Sequence, residues 1–385
     1  MRWSSLIIVV GLLSSCRLPT NGRDTSTPSL SARLDQHLRA AATERPFVGV
    51  SAAVGRCGRV DWTQAEGWAS IEPRRKMRTD TPSRIGSVSK VLTAVAFMRL
   101  EAEGQTNLDA RIGTILPKLP SSLQTITPRQ ILNHSSGIRH YRDDEFLSVQ
   151  PYDSAEDSLR IFVEDPLLFG SGTAYSYSTY AFTLLSAVMA RAAEQPFPGL
   201  IRSKVLAPAG MTHTWAEDSI EVATTTAAAY YDVDGDTVTP APVVNNSYKW
   251  AGGGYISTSA DLVRFVNAIF DQTLLSREDW QRMRIGVTFE PGNQARFGIG
   301  WSLDLLEQLE TAKPQGYDAA FFAELRKALN GDLVVGHGGG SIGARAMLVV
   351  VPERKIAVAA LANATETPLF VLRLLKEVLR APRGC

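Results

Sequence analysis

The chain has 385 residues, 44% of them hydrophobic and 21% charged, enough for a large core and ordinary for a soluble globular protein. Forty basic residues against thirty-nine acidic ones leave a net charge of +1, so there is no electrostatic footprint for DNA, RNA or a polybasic contact with a membrane surface. The five histidines, at 37, 134, 140, 213 and 337, show no metal-ligand spacing, and neither a metal nor a cofactor is expected.

At the N-terminus, Met1-Arg2 precedes the apolar run LIIVVGLL, Leu6 to Leu13, which has the shape of a secretory signal and is too short to span a bilayer. The run ends in LSSC, Leu13 to Cys16, which resembles the lipobox of bacterial lipoproteins. That resemblance implies acylation of Cys16, a membrane attachment through a lipid anchor, and a location in the bacterial cell envelope facing the periplasm. Residues 1–16 are therefore read as a lipoprotein-type signal peptide. Residues 17–29, rich in Pro, Ser, Thr and Gly, are read as a flexible tether.

Leu34, Leu38 and Ala41 recur at helical spacing and predict a first helix over Leu30–Thr43. The next stretch, residues 47–70, predicts a β-hairpin turning near Cys57-Gly58. After Ser87 the apolar positions Val91, Leu92, Val95, Ala96, Met98 and Leu100 predict a helix that stops at Gly104. The middle of the chain, to about Phe270, predicts mainly short helices separated by Pro/Gly loops. Residues 344–363 predict two strands joined at PERK, and a final helix is predicted from Thr367-Pro368 to about Ala381. Helix and hairpin first, helices in the middle, and strands plus helix last predict an α+β fold. Its sheet domain comprises residues 30–95 plus 290–385, and a mainly helical domain, 96–289, is inserted.

Three short motifs carry chemistry. Ser87 and Lys90 lie at i and i+3 at the start of a helix, on one face. A serine hydroxyl becomes a useful nucleophile when a neighbouring base takes its proton, and a lysine is such a base when its pKa falls through burial or a nearby cation. The positive end of the helix dipole also favours the oxyanion formed when the serine attacks a carbonyl. No other lysine in the chain has a serine three residues before it. Tyr177, in the loop TYR-SER-THR at 177–179 just before a buried helix, is placed to relay a proton or to pack as an aromatic. His337 is followed by Gly338, Gly339 and Gly340 at a predicted strand, where glycines let a substrate backbone approach the sheet edge and the histidine donates or carries charge near neutral pH.

Taken in order, Ser87-x-x-Lys90, Tyr177-Ser178-Thr179 and His337-Gly338-Gly339 resemble the motif trio of the penicillin-recognising serine hydrolases, a group of class C β-lactamases, D-Ala-D-Ala peptidases and related esterases. Residues 131–145 (ILNHSSGIRHYRDDE) and 245–270 (NNSYKWAGGGYISTSADLVRFVNAIF) are similar to the branch that includes the mitochondrial serine β-lactamase-like protein and its bacterial relatives. The resemblance implies a β-lactamase/transpeptidase-like fold, an antiparallel sheet flanked by helices. It also implies an acyl-enzyme on Ser87, with Lys90 as base and Tyr177 as proton shuttle. The backbone N–H groups of Ser87 and Gly340 would form the oxyanion hole, and Tyr141, Thr179, His337, Gly338 and Gly339 would meet the substrate. His134 is expected to be structural.

The departures from the family pattern shape the expected substrate. Thr179 stands where many relatives have asparagine, His337 replaces the usual lysine, and Gly338 replaces a hydroxyl residue, so a small peptide or ester is expected rather than a β-lactam. The alternatives are a D-Ala-D-Ala carboxypeptidase or weak β-lactamase, and a non-catalytic binding or scaffold protein on the same fold. The resemblance also leaves a homo-oligomer open, because mitochondrial relatives assemble into filaments. Finally, it places the C-terminal helix beside the first one, which would bring Cys385 to the Cys57 turn and allow a disulfide in an oxidising compartment.

Overall fold

The computed structural model describes residues 28–44, 47–217, 227–290, 293–294 and 297–382. Cys16 and Cys385 lie outside the described residues, as does all of the expected signal peptide and nearly all of the tether.

Helix α1 (Leu30–Glu44) leads into β1 (Gly49–Arg56), β2 (Arg59–Ser70) and the short β3 (Arg75–Lys76). The β1–β2 turn falls on Cys57-Gly58 as expected. Both residues have positive φ, +56° and +79°, the geometry of the two-residue turn that suits the twist of a hairpin. The chain returns to the same sheet with β4 (Val335–Ser341), β5 (Ala344–Val351) and β6 (Ile356–Ala362), the last two joined at PERK. The spatial order is β4-β5-β6-β1-β2-β3, antiparallel throughout, with Val50 opposite Ala362 and Arg56 opposite Ile356 where the two chain ends meet. The fold is that expected: an antiparallel sheet flanked by helices.

Because successive strand residues face opposite sides, β1 and β6 each feed two cores. Val50, Ala52, Val54, Val358 and Ala360 join Leu34, Leu38 and Leu375 on one face. Ala53, Ala357, Ala359 and Leu361 join the large core on the other. That second core contains α2 (Ser89–Ala102), α3 (Thr179–Ala192) and α4 (Ser259–Phe270). On the first face, α5 (Ala319–Leu329) and α6 (Val371–Arg380) pack with α1, and Arg33 bonds Glu377 at 2.8 Å across the α1–α6 contact. Among the described residues no helix is long and apolar enough to cross a membrane.

Two details differ from the expectation. Helix α6 begins at Val371, because Thr367–Phe370 forms a separate turn in which the Leu369 N–H donates to the Thr367 carbonyl at 2.8 Å. The hairpin of Tyr231–Asp234 with Thr237–Pro240 has no counterpart among the predicted elements. Helix α4 packs on β1, β2 and β6 so closely that a Cβ at Gly55 would overlap the Val263 side chain. A single apolar core runs from the sheet through α2 and α4 into α3.

Candidate active site

Ser87 sits in a single 3-10 turn, Gly86–Val88, that runs straight into α2. Gly86 holds φ +48°, and an added Cβ there would lie 2.5 Å from the Gly340 carbonyl oxygen. A Cβ at Gly339 would overlap the Ile85 carbonyl. The glycines of β4 and of the turn thus let two backbones touch, and this contact sets Ser87 beside the edge strand next to Gly340.

One turn on, Lys90 is fully buried. Its Nζ lies 3.2 Å from Ser87 Oγ, 3.0 Å from Thr179 Oγ1 and 2.5 Å from the Gly252 carbonyl. A carbonyl only accepts, so a neutral amine would spend its two hydrogens on Gly252 and Thr179 and turn its lone pair to the Ser87 hydroxyl. Burial, reinforced by the Lys249 ammonium, pushes Lys90 well below the usual lysine range.

Tyr177 reaches the same hydroxyl, hydrogen-bonding Ser87, and burial pushes its phenol well above the usual range. It therefore stays a neutral phenol. Lys90 Nζ lies 4.8 Å from its ring centroid. Behind it, the His134 imidazole lies 4.3 Å away, ring to ring, and accepts the Ser178 N–H on Nδ1. Ser178 caps α3, accepting the Ala181 N–H at 3.0 Å and donating to the Arg139 carbonyl at 2.7 Å. His134 is fully buried and held neutral, first by burial and then by Lys90, as expected of a structural residue.

A cleft of about 360 Å³ opens over Ser87. Tyr141, Thr179, Lys249, Gly340 and Arg345 line it, with His140, Phe146, Gly252 and Gly253 completing the wall. The Arg139 guanidinium, bonded to Glu145 and Asp165 at 2.6 Å each, anchors the loop that carries His140 and Tyr141. His140 accepts the Thr179 N–H and is pushed down to about 4 by burial and then by the Lys90 and Lys249 ammonium groups.

The Beta-lactamase family model matches residues 34–380. The chain belongs to that family. Its members are serine hydrolases of esterase, peptidase and β-lactamase type. The chain is 26% identical to the human serine beta-lactamase-like protein LACTB, mitochondrial, over 381 residues, covering 79% of this chain and 69% of that protein. It is 33% identical to esterase EstB of Burkholderia gladioli over 200 residues, 48% of this chain and 50% of the esterase. In structure it is similar to the octameric penicillin-binding protein homologue from Pyrococcus abyssi, with a TM-score of 0.73 and 23% identity over 90% of this chain and 77% of that one.

Within this β-lactamase-family fold, Ser87, Lys90, Tyr177, Thr179, Tyr141 and Gly340 come together at one cleft or directly behind it. Three of the expected substrate contacts are not among the residues that line the cleft. His337 is only 5% exposed, lies beside Tyr177 and Phe297, and is pushed down to about 3 by burial and then by Lys90. It is a neutral neighbour of the site rather than a switchable charge on its surface. An added Cβ at Gly338 would point at Met347, and Gly339 is pressed against Ile85, so neither forms the cleft wall. The sequence reading misses Lys249 and Arg345, two cations lining the cleft. Lys249 lies in the stretch NNSYKWAGGG, where a lysine reads as solvated until the fold buries it under Phe146 and Tyr141.

Cys57 is disulfide-bonded. Its expected partner Cys385 lies outside the described residues, while Ala381 and Pro382 border the same surface pocket as Cys57.

Proposed function

We propose that the protein hydrolyses a small ester or peptide through an acyl-enzyme on Ser87. Ser87 Oγ attacks the substrate carbonyl carbon as its proton passes to neutral Lys90 Nζ, and the carbonyl oxygen takes the negative charge. The Ser87 and Gly340 backbone N–H groups stabilise that oxyanion. As the tetrahedral intermediate collapses, the proton reaches the leaving oxygen or nitrogen through the Tyr177 phenol. The same pair then draws a proton from water, which attacks the acyl-enzyme and frees the acid.

The observation that carries this reading is the contact of 3.2 Å between the buried Lys90 Nζ and the half-buried Ser87 Oγ, with the Tyr177 phenol on the same hydroxyl. The partial likeness to an esterase supports ester substrates. Export and lipid attachment at Cys16 belong to the same reading and rest on the sequence of the first 29 residues. Hydrolysis of 4-nitrophenyl butyrate tests the chemistry: a burst of nitrophenol followed by slower turnover is expected, and both are lost in Ser87→Ala. Equal turnover by that variant would defeat the proposal.

A further inference from the structure

Lys249 ends a 3-10 turn, Ser247–Lys249, and is 1% exposed, yet its Nζ has no hydrogen-bond partner among the described residues. Its ammonium lies 4.0 Å from the Phe146 ring centroid, 5.2 Å from Tyr248 and 5.5 Å from Tyr141. Aromatic faces hold a cation in place but satisfy none of its three donors. The carboxylate whose charge acts on it, Glu217, is already engaged by Arg84 at 2.7 Å and by Asn246 at 2.5 Å. Among the described residues no aspartate or glutamate lines the cleft. The second cation there, Arg345, donates to the Ser341 and Ala344 carbonyls and so closes the β4–β5 turn.

A buried ammonium with unspent donors is costly unless something anionic completes it. We propose that Lys249 is a specificity-determining residue that binds a carboxylate of the substrate, so that the cleft selects esters or amides carrying a second, free carboxylate near the scissile carbonyl. This rests on the hydrolase reading above. Lys249 also bears on Lys90 through its charge, but that effect is the same for every substrate, whereas a carboxylate subsite changes the ranking between substrates.

The test compares 4-nitrophenyl hydrogen adipate with 4-nitrophenyl hexanoate, matched in length and differing in the terminal carboxylate. The wild-type ratio of kcat/KM, adipate over hexanoate, is expected to exceed one. Lys249→Met should lower it at least tenfold, Lys249→Glu should carry it below one, and Lys249→Arg should keep a ratio above one. A ratio unchanged in Lys249→Met, with both esters slowed alike, would overturn the proposal. Calorimetric titration of Ser87→Ala protein with adipate reads the subsite without turnover. Binding that disappears in the Ser87→Ala, Lys249→Met double variant supports it, and no binding overturns it. Ester turnover that does not depend on Ser87 would instead overturn the hydrolase reading and leave the subsite to the titration.

Discussion

Gly86 and Gly340 meet backbone to backbone, so that an added Cβ at Gly86 would lie 2.5 Å from the Gly340 carbonyl oxygen and 2.7 Å from its nitrogen. With φ at +48°, alanine at Gly86 would meet both left-handed strain and a clash. Gly86→Ala is expected to cost about 2–5 kcal/mol in denaturant unfolding, from those two effects together. It should also slow fluorophosphonate labelling by about 10²–10³-fold, the effect of losing one oxyanion donor. At Gly340 the nearest side-chain atom, Arg345 Nη1, would lie 3.7 Å from a new Cβ, so Gly340→Ala should unfold close to wild type. Equal stability and labelling rate in Gly86→Ala and wild type would show that this junction does not set the site.

The rate of acylation should rise with pH and level off. Lys90 must be neutral to accept the Ser87 proton, and burial with the Lys249 ammonium holds it well below the usual lysine range. Lys249, pushed down to about 7 by burial and then by Arg84, against the pull of Glu217, titrates in the same cleft. The observed pKa values belong to the coupled groups. A plateau well below lysine's ordinary value of about 10.4 is expected in kcat/KM for a neutral ester. A rate that climbs without levelling through pH 10 would rule out a desolvated lysine base.

Acid should weaken the fold earlier than carboxylates alone would require. The unfolded chain protonates a histidine near 6.5, whereas folded His337 takes its proton only at about 3. Between these values the unfolded state binds the extra proton, so stability falls as pH drops, by up to ~1.4 kcal/mol per pH unit for that residue. His134 and His140 act with the same sign. Urea unfolding from pH 7 to pH 5 checks this: His337→Gln should show a shallower slope, and an unchanged slope would mean that the imidazole is charged in the fold.

Ser178 is a helix cap, although it stands beside Tyr177 in the motif. Removing its two hydrogen bonds in Ser178→Ala should cost about 1–3 kcal/mol and leave serine-reactive labelling in place. Loss of labelling with an unchanged melting temperature would reverse the roles assigned to the two serines.

Turnover of β-lactams should be slow. Thr179 spends its hydroxyl on Lys90 and Tyr141, and His337 is buried and neutral, so neither is free to hold the lactam carbonyl or carboxylate. Two lost contacts of about 1–3 kcal/mol each imply a kcat/KM for nitrocefin about thirtyfold or more below that for activated esters. Comparable values would show that Lys249 and Arg345 replace what is missing.

Local pattern carried much of this into view. The first hairpin, its Cys57-Gly58 turn and the helix after Ser87 were legible because each depends on neighbours in sequence. So was the Ser87–Lys90 contact, which needs only one helical turn. Lys249 was not, because its burial comes from Phe146 and Tyr141, about a hundred residues earlier. His337 was misread for a related reason: its charge is decided by the layer of Tyr177, Phe297 and Lys90 around it. The packing of α4 on the sheet, which ties segment 96–289 to both chain ends, depends on the small residue Gly55 and has no local signature.

The most direct measurement is fluorophosphonate labelling of the purified protein followed by peptide mapping, with wild type, Ser87→Ala and Lys90→Met run side by side. Expected is one adduct on Ser87 in wild type, none in Ser87→Ala, and strongly slowed formation in Lys90→Met. An adduct that forms on another residue, or that persists in folded Ser87→Ala protein, would contradict the assignment of Ser87 as the nucleophile.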